Sequence, residues 1–280
     1  MTSVRCGPHR KAYPYEMENE TQWSRGYGET ESVGVVLHGL NMKPESMNDM
    51  VELLQNTNAE VLRLAITGHS DSQSSWNFVQ RKHWISDVSR GIEEAAKRAT
   101  TLGVPLHGVG YSMGGQLLVD ALQETGIRTD KNILLAPSIA LRPVAQSQLH
   151  WAKWLGPLPT PSTLSEEYRS NSTIPGSAYG AMSNSQKAIY ETKNPQNLNV
   201  PTMIILDPDD EWISEDGLRL FMQKFKLTNW AFRLLKRSKE KIAGRWHHLI
   251  HDKKSLAEHW DNISLHIKEF LSVRGTMRSG

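Results

Sequence analysis

Between residues 104 and 122 the chain changes its period within a single pentapeptide. Val104-Pro105-Leu106-His107-Gly108-Val109 is a short apolar run, and the stretch from Gly115 to Leu122 reads as a helix. Between them lies Gly110-Tyr111-Ser112-Met113-Gly114, a turn bracketed by glycines with a serine at its apex. Side-chain-free positions on both sides let a strand and the following helix approach closely. The spacing therefore predicts strand, tight turn and helix in direct succession.

The same alternation runs through the first half of the chain. Apolar runs at 32–37, 61–66, 104–109 and 131–136 alternate with helical spacing at 45–55, 82–101 and 115–124. Strand patterns alternating with helical patterns of ten to twenty residues indicate βαβ units and a mostly parallel sheet flanked by helices, an α/β fold. The alternation breaks at Pro137 and resumes with a strand at 200–206, a helix at 215–225, a last strand at 229–235 and a final helix at 254–271. Residues 138–198 carry no apolar strand run. Leu141, Val144, Ala145, Leu149, Ala152 and Leu155 form a helical stripe with Trp151 and Trp154 beside it, ended by Gly156-Pro157. Two shorter helical pieces are expected near Glu166 and over 181–192. The organisation expected is an N-terminal arm at 1–30, a core formed by 31–137 and 199–280, and a helical cap inserted at 138–198.

A length of 280 residues suits one large α/β domain with an insertion. The net charge of +2 makes no electrostatic case for nucleic acid. Cys6 is the lone cysteine, so no internal disulfide framework exists, in keeping with a reducing compartment. The first twenty residues have no apolar core of the kind a secretory leader needs, and no run of eighteen apolar residues occurs. The expectation is a cytoplasmic protein without a transmembrane segment. No H-E-x-x-H motif or cysteine cluster calls for a metal, and no cofactor is implied.

A serine on a strained strand-to-helix turn is exposed above the sheet edge, with a helix N-terminus behind it that favours developing negative charge. It becomes a nucleophile when a histidine takes its proton and an acid orients that histidine. The chain supplies both in order. Asp207-Pro208-Asp209-Asp210-Glu211-Trp212-Ile213 follows the strand ending at Leu206, and Gly244-Arg245-Trp246-His247-His248-Leu249-Ile250 follows the last strand.

With His38-Gly39, Gly68-His69-x-x-Ser72 and Gly110-x-Ser112-x-Gly114, these loops make residues 32–272 resemble the α/β-hydrolase superfamily. The likeness is strongest to its monoacylglycerol-lipase and carboxylesterase group, whose members carry a helical cap. The resemblance implies a serine hydrolase with Ser112 as nucleophile. Asp210 stands at the acid position of a G-x-x-D-x-x-V pattern, although Asp207 replaces the glycine, so Asp207 and Asp209 remain alternatives. His248, followed by two apolar residues, is favoured over His247 as the base, and His251 is expected at the surface of the loop. The oxyanion donors implied are the amides of Met113 and Leu40.

The resemblance implies an acyl ester or monoacylglycerol-like lipid as substrate. Thioesterase, amidase or acyltransferase chemistry on the same machinery, or a non-catalytic binding module, are the alternatives. Trp151 and Trp154 are the candidate substrate-binding aromatics, lining an acyl channel or forming an exposed entrance in transient contact with a membrane surface. Lys236, Arg237, Lys239, Lys241 and Arg245 form a basic run before the histidines, read as a solvated loop or an attraction for anionic substrates.

Overall fold

Every residue of five strands is buried: β2 (Ser32–Leu37), β3 (Ala59–Leu64), β4 (Leu106–Tyr111), β5 (Lys131–Leu135) and β8 (Thr202–Leu206). Unbroken burial means helices cover both faces of the sheet, which is why these segments read as mainly apolar runs rather than as alternating ones. The structure is a computed structural model and describes residues 20–69, 73–235 and 246–272. The basic run at 236–245, Ser72 and most of the N-terminal arm lie outside the described residues.

The seven-stranded sheet has the order β1-β3-β2-β4-β5-β8-β9, with β1 (Gln22–Ser24) and β9 (Trp230–Leu234) at its edges. All pairings are parallel except β1 with β3. The short β1 pairs antiparallel with β3, and Trp23 donates its indole N–H to Glu94 at 2.6 Å. The second strand begins two residues earlier than its apolar run suggests, because Ala59 and Glu60 pair with Ser32 and Val33. Glu60 is tolerated there because Arg98 reaches it at 2.9 Å.

Helices α1 (Asn48–Gln55), α2 (Gln73–Asn77), α3 (Arg81–Leu102) and α4 (Met113–Thr125) follow the early strands, and α7 (Glu215–Phe225) follows β8. Arg81 clamps Asp120 through two hydrogen bonds, 2.6 and 2.9 Å long, tying α3 to α4. The expected final helix is broken. α8 (Lys253–Leu256) and α9 (Trp260–Ser272) are separated at Ala257, whose φ of 46° no α-helix accommodates.

Between β5 and β8 the chain forms α5 (Pro143–Ala152), a small hairpin of β6 (Pro159–Pro161) and β7 (Thr173–Pro175), and α6 (Gly176–Tyr190). The prolines hid the hairpin from a periodicity reading. No helix forms near Glu166. A single turn there, closed from Arg169 to Ser165, leads into backbone that bonds residues 41–43 instead. Among the described residues no helix is long and apolar enough to cross a membrane.

Candidate active site

Ser112 lies between β4 and α4 with φ 50° and ψ −115°. Such a backbone costs a non-glycine residue about 1–3 kcal/mol and persists only where its surroundings impose it. Here the Ser112 amide donates to Leu135 at 2.8 Å, and its carbonyl accepts from Ser138 at 3.1 Å and from Gln116 at 3.2 Å. The bracketing glycines are required by contact. A Cβ on Gly110 would lie 2.6 Å from the backbone of Gly115, and one on Gly114 would lie 2.5 Å from the His38 carbonyl oxygen. Gly114→Ala is therefore expected to abolish soluble expression or lower the unfolding midpoint by more than 10 °C, checked by thermal denaturation; a midpoint within 2 °C of wild type would contradict the close approach.

The turn after β2 faces the elbow. His38 is fully buried; its Nδ1 donates to the Gly39 carbonyl at 2.9 Å and its Nε2 accepts from the Ile66 amide at 3.3 Å. Burial lowers its pKa to about 4, so it is a neutral brace for the turn. Beside it, the His69 ring accepts from the Asn41 amide at 2.9 Å through Nε2. Among the described residues the amides of Leu40 and Met113 have no protein acceptor. Leu40 lines the same cavity as Ser112, and Met113 opens α4 with its side chain fully buried.

The two adjacent histidines have different surroundings. His247 is buried and its Nδ1 meets Asp207 at 2.8 Å. His248 lines the cavity, and its carbonyl accepts the Tyr111 hydroxyl at 2.9 Å. Its Nδ1 lies 3.1 Å from Glu211, a residue that the sequence offered no reason to prefer within a run of four acids. Glu211 also accepts the backbone amides of His247 and His248, both at 3.1 Å.

Asp210 is fully buried. Its Oδ1 accepts from the Trp212 and Ile213 amides at 2.7 and 2.8 Å, and its Oδ2 has no hydrogen-bond partner among the described residues. Burial pushes the Asp210 carboxyl up to about 6, against the pull of those amides and of nearby His248. Burial also pushes Glu211 upward, but its bonds to His248 and the backbone outweigh this and hold it at about 2. Asp209 donates its amide to Asp207 at 2.9 Å, closing the loop, and its side chain is exposed. His251 is buried rather than at the surface: its ring packs between Tyr111 and Tyr168, at 4.9 Å from each.

Ser112 and His248 open into one cavity of about 890 Å³. Its walls come mostly from the segment between β5 and β8, including Val144, Leu149, Trp151, Tyr179 and Met182, and are largely apolar. No carboxylate lines it among the described residues. Trp151 belongs to the wall, although three-quarters of it is solvent-exposed; Trp154 is equally exposed and stands outside the wall.

Solved structures with the same fold include a soluble variant of the monoglyceride lipase of Saccharomyces cerevisiae in complex with a substrate analogue. It has 15% identity and a TM-score of 0.75 over 93% of this chain and 98% of that one. The monoacylglycerol lipase of Paleococcus ferrophilus has 17% identity and a TM-score of 0.69, covering 90% and 98%. Est1E from Butyrivibrio proteoclasticus, with ferulic acid bound, has 16% identity and a TM-score of 0.59, covering 90% and 93%. No curated protein matches by sequence. The family model described as serine aminopeptidase, S33, matches residues 28–175, more than half of the chain. With the parallel sheet, the strained serine elbow and this match, the chain belongs to the serine aminopeptidase S33 family of α/β-hydrolases.

Proposed function

We propose that the protein is a carboxylic-ester hydrolase acting on acyl esters of monoacylglycerol type, with residues 138–198 as the cap that shapes its acyl site. The observation that carries this reading is the opening of Ser112 and His248 into one large, mainly apolar cavity. His248 takes the Ser112 proton, and Ser112 Oγ attacks the ester carbonyl carbon. The Leu40 and Met113 amides receive the oxyanion. The tetrahedral species collapses as His248 returns the proton to the leaving alcohol. Water, deprotonated by the same ring, then cleaves the acyl-enzyme and frees Ser112.

Asp210 is the acid in this reading. Its Oδ2 is buried beside His248 with lone pairs unused, while Glu211 holds the histidine loop by its backbone amides. In this reading His248 Nδ1, bonded to Glu211 in the structure, must turn to Asp210 before Asp210 can orient it.

The family's description names an aminopeptidase, which makes amide hydrolysis the second reading. Recognition of a peptide N-terminus calls for a counter-charge to the ammonium, and the cavity wall has no carboxylate among the described residues. Exposed Val144, Trp151, Trp154 and Leu158 on the cap support transient contact with a lipid surface.

A panel of p-nitrophenyl esters from two to sixteen carbons tests the reading. The rate constant kcat/KM is expected to peak at eight carbons or more. Trp151→Ala is expected to raise KM about tenfold for the long esters and leave acetate unaffected, whereas Trp154→Ala leaves both unaffected. Turnover of aminoacyl amides with esters at background would replace this reading with the second.

A further inference from the structure

The turn that presents the Leu40 amide is bonded to the segment at 162–171, and the bonds converge on one side chain. Asn41 is fully buried, with φ 55°, a left-handed backbone that asparagine tolerates better than most residues. Its Nδ2 donates to the Ser162 hydroxyl at 3.0 Å and to the Asn171 carbonyl at 2.7 Å. Its Oδ1 accepts from the Asn171 amide at 3.0 Å and from Asn171 Nδ2 at 3.2 Å. Both donors and both acceptor lone pairs are therefore used, which is full satisfaction for a buried amide.

The backbone continues the connection. Asn41 accepts from Ser170 at 2.9 Å, Lys43 donates to Tyr168 at 2.8 Å, and Met42 bridges to Arg169. Asn171 also donates to the Gly68 carbonyl at 2.9 Å, next to His69, whose ring accepts the Asn41 amide. Leu40 is thus held between two fixed points. His38 and His69 brace the turn on the sheet side, and the 162–171 strap holds it on the other.

We infer that Asn41 is a positioning residue that makes the oxyanion site conditional on docking of this strap. This rests on the proposed ester hydrolysis and assigns the strap a part in catalysis that a cavity wall alone would not have. While the strap is bonded to Asn41, the Leu40 amide points at the reacting carbonyl. When it detaches, Asn41 loses five hydrogen bonds, four of its side chain and one of its carbonyl, and Leu40 its fixed direction. A misplacement of about 1 Å at a reacting centre lowers rate by about 100-fold.

Asn41→Gly isolates the side chain, because glycine keeps the left-handed backbone. Asn171→Ala, the second variant if the first folds poorly, removes from the half-buried strap side only the Asn171 side-chain bonds to Asn41 Oδ1 and to the Gly68 carbonyl, and keeps the backbone bonds. For Asn41→Gly, kcat on a p-nitrophenyl ester should fall about 30- to 100-fold with KM within threefold, and for Asn171→Ala kcat should fall in the same sense by about tenfold. Affinity for a trifluoromethyl ketone, which binds as an oxyanion, should fall by the same factor. Lowered unfolding midpoints with unchanged kcat and ketone affinity would make the staple merely structural and overturn the inference. A rise in KM alone would also overturn it, assigning the strap to substrate shape. Ser112→Ala in the same assay separates the two levels: ester turnover surviving there removes the underlying reading, whatever Asn41 does.

Discussion

Ser112→Ala is expected to lower kcat on any ester substrate by about 10⁴- to 10⁶-fold while leaving the fold intact. The magnitude follows from the mechanism. Without Oγ there is no acyl-enzyme, and the remaining oxyanion donors act only on attack by water. Structure should survive because the hydroxyl carries none of the bonds that hold the elbow, which run through the Ser112 backbone to Leu135, Gln116 and Ser138. Alanine also occupies positive φ elsewhere in this chain, at Ala136 with φ 42°. Circular dichroism and the unfolding midpoint should match wild type, with stability changed by less than about 1 kcal/mol. Retained turnover in a folded variant would remove Ser112 from the chemistry.

The second large effect separates the two carboxylates beside His248. Asp210→Asn is expected to lower kcat by about 10³- to 10⁴-fold, as loss of the acid leaves the imidazole without its orienting charge. Glu211→Gln should lower it by no more than about tenfold, since a glutamine oxygen still accepts one of the amides of the histidine loop. Their stability effects should run in opposite directions. Asp210 is raised from 3.8 to about 6, so its contribution to stability is full below pH 3.8 and is lost as pH rises through 6. Above pH 6 the fold holds a buried anion that asparagine lacks, and the variant should gain up to about 3 kcal/mol at pH 8. Glu211 is lowered to about 2, so its contribution is present above pH 4.5 and fades only as pH falls through 2. At pH 8, Glu211→Gln should therefore destabilise. The same ionisation makes wild-type kcat rise with pH through about 6 as Asp210 takes its charge. Urea titrations at pH 4 and 8 with initial rates on one ester read all of this. A collapse of kcat in Glu211→Gln, with Asp210→Asn within tenfold of wild type, would move the acid role to Glu211.

The fold was legible where one physical cause dominated. The five fully buried strands had to be mainly apolar runs, and the elbow had to carry glycines where a Cβ would strike Gly115 or His38. Segments governed by distant partners were less legible. The turn near Glu166 has helix-forming residues, yet its backbone bonds go to the turn at 41–43. His251 reads as one more polar loop residue, and only the packing of Tyr111 and Tyr168 shows why it is inside. His247 and His248 are neighbours in sequence, and tertiary pairing separates them, one to Asp207 and the other to the cavity. Glu211 had no signal of its own in Asp207-Pro208-Asp209-Asp210-Glu211; its place opposite two consecutive amides of the histidine loop arises only from the fold. Most of the cavity wall comes from the segment between β5 and β8, whose hairpin of prolines carries no strand period.

Incubation of the wild-type protein with a fluorophosphonate, followed by intact-mass measurement and peptide mapping, tests the central claim most directly. An activated serine expels fluoride from phosphorus and keeps the phosphonyl group. One adduct per chain is expected, on the peptide containing Ser112, with ester turnover lost in proportion to labelling and no adduct in Ser112→Ala. A protein that stays unlabelled while hydrolysing esters, or that carries the adduct on another residue, would contradict the assignment of Ser112 as nucleophile.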